Sequence, residues 1–132
     1  MDSATDQLVR QRAGHRCEYC HLPQVRSALR FHIEHIMARQ HGGGDDRANL
    51  ALACPECNYQ KGTNLSGVDP DTGEVTRLFH PRQDIWEDHF SHKDARIEGK
   101  TPIGRTTVWL LEMNTGDRLR WRELLLRLGL LD

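Results

Sequence analysis

Hydrophobic and polar residues alternate along residues 30–36 (RFHIEHI), which is the pattern of a β-strand with one buried face. A glycine-rich turn at residues 42–46 separates this segment from a second candidate strand at residues 49–53 (NLALA). Pro55 then stands where a helix prefers its first residue, and Gly62 stands where such a helix would end. The pattern therefore predicts, in order, a strand, a turn, a second strand and a short helix.

The rest of the chain shows helical periodicity interrupted by short strand-like segments. Residues 4–13 predict an amphipathic helix that Ser3 or Thr5 would cap. Beyond residue 64 the pattern predicts strands at residues 74–79 and 95–99, one or two helical turns at 84–90, and helices at 105–113 and 117–128. This mixture is typical of the α+β class. We expect a core of residues 1–64 and a C-terminal extension of residues 65–132, packed together as one compact unit.

Composition limits the classes to which the chain can belong. With 132 residues, of which 37% are hydrophobic and 28% charged, it can build only a modest core, and such a core often needs a staple. No run approaches the roughly 20 apolar residues that span a bilayer, so no membrane association is expected. The polar N-terminus lacks the apolar stretch of a secretory signal, which favours a reducing cytoplasm. A net charge of −1 means that any contact with phosphate must come from local basic patches or from a metal ion.

Two Cys-x2-Cys pairs, Cys17 with Cys20 and Cys54 with Cys57, are separated by 33 residues. Four thiolates complete a tetrahedral zinc shell, in which each Zn–S bond measures about 2.3 Å. Two disulfides or four buried free thiols are the alternatives, and a reducing compartment argues against the disulfides. Since four sulfurs leave no open position for a substrate, we expect this zinc to be structural.

The segment between the two pairs, and the helix after it, carry the residues that suggest chemistry. Glu34 and His35 place a carboxylate beside an imidazole, and Asn49 follows 14 residues later. Lys61 lies three residues beyond Asn58, on the same face of the predicted helix. A carboxylate and a carboxamide suit Mg²⁺ or Mn²⁺, and a neutral imidazole can take a proton from water. Each residue also has an ordinary structural interpretation. His35 could be a half-buried strand histidine, Glu34 part of a surface ion pair and Asn49 a turn residue. Asn58 could be a polar residue on the helix surface and Lys61 a solvated lysine.

The motifs along this segment are Cys17-x2-Cys20, His32-Ile-Glu34-His35-Ile36, Gly42-Gly43, Asn49-Leu50, and Cys54-x2-Cys57-Asn58 with Lys61-Gly62. In order and spacing they resemble the HNH endonuclease family, over about residues 8–64. The resemblance is to the subgroup whose ββα-metal core is braced by a four-cysteine zinc. It implies such a core here, with the C-terminal extension packed on it.

The resemblance also implies a role for each candidate residue. His35 would be the general base that activates water, and Glu34 and Asn58 would hold a catalytic Mg²⁺ or Mn²⁺. Asn49 would pin the loop that bears the base, and Lys61 would help to hold the phosphate. The implied activity is metal-dependent hydrolysis of phosphodiester bonds in DNA. Glu34 stands where Asp is commoner and Asn58 where many members have His, which leaves the preferred ion open.

Two other functions remain compatible with the sequence. One is a non-catalytic zinc module that binds nucleic acid or a protein partner. The other is a zinc nucleobase deaminase, because His32-Ile-Glu34 together with Cys54-x2-Cys57 faintly echoes the deaminase signature. Two features argue against a deaminase. Pro55 lies inside the cysteine pair instead of before it, and the first pair of cysteines would have no role.

The aromatic and leucine positions after residue 64 predict a packed lid over the core. The leucines of the last predicted helix and its end offer the alternative of a dimer face: Leu119, Leu125, Leu126 and Leu130. The sequence is therefore compatible with both a monomer and a dimer.

Overall fold

The computed structural model describes residues 1–131, and these residues form five α-helices and six β-strands. The helices are α1 (Ser3–Arg12), α2 (Pro55–Lys61), α3 (Trp86–His89), α4 (Pro102–Leu110) and α5 (Gly116–Arg127). The strands are β1 (His32–His35), β2 (Leu50–Ala53), β3 (Ser66–Val68), β4 (Val75–Arg77), β5 (Phe90–Lys93) and β6 (Arg96–Gly99). The strands pair consecutively into three two-stranded antiparallel sheets. This mixture confirms the predicted α+β class.

The described chain divides into two compact units. The first comprises Met1–Leu65 together with His80–Gln83, and the second comprises Ser66–Phe79 and the chain from Asp84 onward. Every helix within residues 1–131 is too short or too polar to cross a lipid bilayer.

The first unit contains the predicted strand, turn, strand and helix. β1 runs antiparallel to β2, with Glu34 opposite Ala51. All four residues of β2 are buried, whereas on β1 the fully buried position is Glu34. The helix α2 follows β2 directly, with Pro55 in its first turn and Gly62 at its C-cap. These elements form a ββα unit.

The N-terminal helix differs from the prediction only at its cap. We expected Ser3 or Thr5 to cap it, but the helix starts at Ser3 and Asp2 is the N-cap residue. The Asp2 carboxylate accepts a hydrogen bond of 2.7 Å from the Thr5 N–H, which an aspartate at this position does well.

Two strands of the second unit are absent from the sequence prediction. β3 has only three residues (SGV) and β5 has four (FSHK), too few for a clear alternation of polar and apolar residues. Each forms by pairing with a neighbour that the pattern does predict, β4 and β6 respectively. The predicted helical turn at 84–90 is α3, but Phe90 already belongs to β5.

The second unit depends on close backbone packing and on one buried arginine. A Cβ at Gly104 of α4 would lie 2.0 Å from the His89 carbonyl oxygen, so only glycine allows this approach. Arg122 of α5, 3% exposed, donates from Nε to the Ala95 carbonyl (2.7 Å) and from Nη2 to the Met113 carbonyl (2.6 Å). The Arg122 guanidinium therefore holds α5 in place together with Leu125. Among the four leucines that could form a dimer face, Leu125 is the one that is fully buried.

An ion pair fixes the β3–β4 hairpin to α4. The carboxylate of Asp69, whose side chain is fully buried, accepts hydrogen bonds from Arg105 Nε (3.1 Å) and Nη2 (2.8 Å). The Asp71 N–H adds a third bond at 3.0 Å. The Arg105 hydrogen bonds lower the pKa of Asp69 from an ordinary value of 3.8 to about 2.

We expect Asp69 to stabilise the second unit in a pH-dependent way. A depressed carboxyl pKa gives stability that is complete above 3.8 and is lost as the pH falls toward about 2. Asp69→Asn should therefore lower the midpoint of thermal unfolding at neutral pH, and its difference from the parent protein should shrink as the pH falls through this window. Tryptophan fluorescence measures it, because Trp86, Trp109 and Trp121 all lie in the second unit.

The matched control is Asp117→Asn, since the Asp117 side chain is 97% exposed. It should leave the midpoint unchanged. If Asp69→Asn kept the same difference from the parent at all pH values, the proposed ion-pair contribution would be wrong.

Candidate metal centre and active site

The four cysteines of the first unit are buried and meet at one point. Their sulfur atoms all lie within 4.8 Å of one another, and Cys20 Sγ lies 3.7 Å from Cys54 Sγ. None is in a disulfide. Within residues 1–131 this is the one group of three or more His, Cys, Asp or Glu side chains arranged to hold a metal ion. Four convergent buried sulfurs fit a closed tetrahedral zinc site.

Each cysteine pair forms a tight knuckle whose backbone turns toward the sulfurs. The Cys20 N–H points at Cys17 Sγ and the Cys57 N–H at Cys54 Sγ, both at 3.4 Å. Such bonds favour a negatively charged sulfur. Burial raises the pKa of the Cys57 thiol well above its usual value, so a bound cation is what would make thiolates of this cluster.

The first knuckle is fixed to β2, the strand that leads into the second knuckle. Glu18 donates its N–H to the Leu52 carbonyl (2.8 Å), and its Oε2 accepts from the Leu52 N–H (2.8 Å). Its Oε1 pairs with Arg82, which belongs to the same unit. These bonds bring two cysteine pairs that are distant in sequence to one end of the hairpin.

His35, at the end of β1, is half-buried and bonded to an acid. Its Nε2 lies 2.7 Å from Asp45 Oδ1, and Arg39 Nη2 donates to the same oxygen at 2.8 Å. The hydrogen bond to His35 lowers the pKa of Asp45, so Asp45 is a stable acceptor. An acceptor at Nε2 favours the tautomer with the proton on Nε2, which leaves Nδ1 able to accept a proton.

Asn49 closes the loop that connects these two residues. Its Nδ2 donates to the carbonyls of Met37 (3.0 Å) and Gly44 (2.8 Å), and its Oδ1 accepts from the Met37 N–H (2.8 Å). Gly43 lies so close that a Cβ there would be 1.8 Å from the Met37 carbonyl oxygen. Asn49 therefore fixes the backbone just after His35 and just before Asp45.

Glu34 points away from solvent into a small polar cluster. It is 6% exposed, and its Oε1 accepts a hydrogen bond from the Tyr19 hydroxyl. Its Oε2 lies 3.2 Å from Lys61 Nζ, and Lys61 is 2% exposed. Burial raises the pKa of Glu34, while the Lys61 charge and the Tyr19 hydrogen bond act in the opposite direction.

Lys61 also ties α2 to the end of β1. Its Nζ donates to the Ile36 carbonyl at 2.9 Å and lies 3.4 Å from the His35 carbonyl oxygen. Asn58, half-buried, lies three residues before Lys61 on α2. The structure therefore brings Glu34 and Lys61 together, and it places the backbone of His35 beside them.

The segment that carries the sulfur cluster and His35 is similar to known proteins. Residues 17–64 match the sequence model of the HNH endonuclease family, which confirms the predicted resemblance for this part of the chain. This segment therefore resembles an HNH endonuclease domain. The chain is also 26% identical to the Septu protein PtuB of Bacillus thuringiensis over 121 residues, covering 86% of this chain and 42% of the relative. The chain thus spans less than half the length of that curated relative, and no solved structure matches it significantly.

The sequence assigned no role to two residues of this segment, Tyr19 and Asp45. Tyr19 lies between Cys17 and Cys20, where an aromatic side chain is expected only to pack inside the turn. Asp45 lies in a turn whose glycines suggest only flexibility. A weak signal existed for Tyr19 alone: it is a large polar-tipped ring in a knuckle that must be buried, and such a hydroxyl needs a partner. His32, which a deaminase site would need, is exposed at the start of β1 and is not part of the sulfur cluster.

Proposed function

We propose that the first unit is a metal-dependent endonuclease that hydrolyses phosphodiester bonds in DNA. The observation that carries the proposal is the His35–Asp45 pair, in which His35 follows Glu34 in the sequence, within a segment that matches the HNH endonuclease family. Members of this family are nucleases. The substrate, the catalytic ion and the residue roles are the parts that we propose for this chain.

In the proposed mechanism His35 is the general base. Its Nε2–H is donated to Asp45, and its Nδ1 takes the proton from the attacking water. Asn49 keeps the loop in place so that the imidazole and the acid stay aligned. The proton acceptor is thus held in one orientation by a carboxylate and by a fixed loop.

Glu34 and Asn58 are the proposed ligands of a catalytic Mg²⁺ or Mn²⁺. Their carboxylate and carboxamide oxygens are the hard donors that both ions prefer. Such an ion, when bound with the phosphate, stabilises the charge that develops on the scissile group. Lys61 is placed to hold Glu34 and the carbonyls that end β1, and its proposed role at the phosphate stays a prediction.

The four sulfurs are proposed to hold one structural zinc ion. With all four positions taken, the zinc would take no part in hydrolysis. We expect the protein to work in a reducing compartment such as the cytoplasm, because the site requires free thiols.

A second candidate function is a zinc-stabilised module that binds nucleic acid or protein without cleaving it. One observation favours it: Lys61 and Tyr19 each bond one oxygen of Glu34, as they would for a purely structural carboxylate. Cleavage assays separate the two functions.

His35→Ala should lower the rate of plasmid nicking in Mn²⁺ by about 100-fold or more, because the proton acceptor is lost. Zinc content, measured by mass spectrometry of the metal, should stay at that of the parent protein. His32→Ala is the matched control, since His32 is an exposed histidine at the start of the same strand. Full nicking by His35→Ala would refute the mechanism.

Asp45→Ala should slow cleavage roughly 10- to 100-fold, because the imidazole loses the acceptor that fixes its orientation and tautomer. Single-turnover rates at saturating Mn²⁺ and DNA measure this. The neighbouring Asp46→Ala is the control, as its exposed side chain caps no helix. Equal rates for the two variants would show that the pair has no role in hydrolysis.

A further inference from the structure

The buried cluster around Glu34 contains one polar side chain that the proposed mechanism does not use. Tyr19 is 0% exposed, and its hydroxyl donates to Glu34 Oε1. The chain has two tyrosines, and the other, Tyr59, is 81% exposed. A fully buried hydroxyl placed on a buried carboxylate is a specific arrangement, because each group would carry a desolvation cost without the other.

One partner of Glu34 comes from the first cysteine knuckle and the other from the helix that follows the second knuckle. Tyr19 lies inside the first knuckle, between Cys17 and Cys20. Lys61 lies on α2, the helix that starts at the second knuckle. The positions of both partners are therefore set by the segments that meet at the four sulfurs.

These contacts use only part of the hydrogen-bonding capacity of the Glu34 carboxylate. Two carboxylate oxygens offer about four acceptor positions, of which Tyr19 and Lys61 each take one. Lys61 balances the charge of Glu34, but its flexible ammonium group does not fix the orientation of the carboxylate. The rigid ring of Tyr19 does fix it, since the hydroxyl is fixed by the ring and the ring is fixed by burial.

We propose that Tyr19 is a positioning residue that orients the Glu34 carboxylate for a divalent cation and thereby links the sulfur cluster to the catalytic centre. The inference rests on the proposed function, in which Glu34 is a ligand of that cation. Removing a hydrogen-bond partner of a metal ligand typically reduces metal affinity or activity by about 10- to 100-fold. Tyr19→Phe deletes only the hydroxyl and keeps the buried ring.

The test measures Mn²⁺ binding directly in the zinc-loaded 132-residue chain. His35→Ala serves as the background, so that a DNA duplex can be present without cleavage. Free Mn²⁺ is followed by electron paramagnetic resonance, and zinc content is measured on the same samples. Tyr19→Phe should weaken Mn²⁺ binding by about 10-fold at unchanged zinc content, whereas Tyr59→Phe should bind Mn²⁺ as the background does.

A second measurement uses the protein with His35 intact and follows the rate of DNA cleavage as the Mn²⁺ concentration is varied. Tyr19→Phe should need about 10-fold more Mn²⁺ for half-maximal rate and recover most of the parent rate at saturation. An unchanged Mn²⁺ dependence would overturn the proposal. A loss of zinc in Tyr19→Phe would overturn it as well, because the hydroxyl would then serve the fold and not the ligand.

The failure of the proposed function gives a different result. Glu34→Gln would then bind Mn²⁺ like the His35→Ala background, or the parent protein would cleave no DNA with any divalent ion. If Glu34→Gln weakens Mn²⁺ binding and Tyr19→Phe does not, the proposed function stands and the role of Tyr19 is refuted.

Discussion

The sulfur cluster constrains everything else in the first unit. Four buried side chains from two knuckles, 33 residues apart, must lie within 4.8 Å of one another, and the paired hairpin and α2 must be in place for them to do so. A unit of this size buries little apolar surface, so a metal ion bound by the four sulfurs would supply free energy that packing does not. The backbone bonds between Glu18 and Leu52 then align the first knuckle with β2.

That constraint explains why a buried carboxylate is tolerated on β1. Glu34 lies where a strand of this kind would normally place an apolar side chain, and burying an unpaired charge there would cost several kcal/mol. Lys61 and Tyr19 offset that cost, and both are held by segments next to the cysteines. The outer side of the same strand end carries His35, whose loop is closed by Asn49. One short strand thus presents a carboxylate inward and an imidazole to a more open side.

The sequence was sufficient for the parts of this arrangement that depend on local chemistry. The spacing of the paired cysteines is enough to predict a metal site. Pro55 and Gly62 predict the two ends of α2, because their backbones suit helix termini. The partner of His35 was not predictable, since Asp45 reaches it only through a loop shape that Asn49 creates. Tyr19 was missed for a similar reason. Its contact with Glu34 joins residues that only the folded hairpin brings together.

In the second unit, too, some features follow from the local sequence and others depend on the folded structure. Its longer helices follow from periodicity, but β3 and β5 are too short to have a pattern and exist through their partners. The burial of Arg122 also runs against composition, because arginine at that position of an amphipathic helix reads as solvated. Its carbonyl acceptors lie in Ala95 and Met113, which only the folded unit brings to it.

We propose that the sulfur cluster holds zinc and that the segments joined there position a separate cation site at Glu34. Anomalous scattering from crystals of the protein with a DNA duplex and Mn²⁺ tests this most directly, since zinc and manganese are distinguished at their absorption edges. We predict a zinc peak among the four cysteine sulfurs and a manganese peak beside the Glu34 carboxylate and the Asn58 carboxamide. A cluster without zinc, or manganese bound to the DNA away from Glu34, would contradict the account.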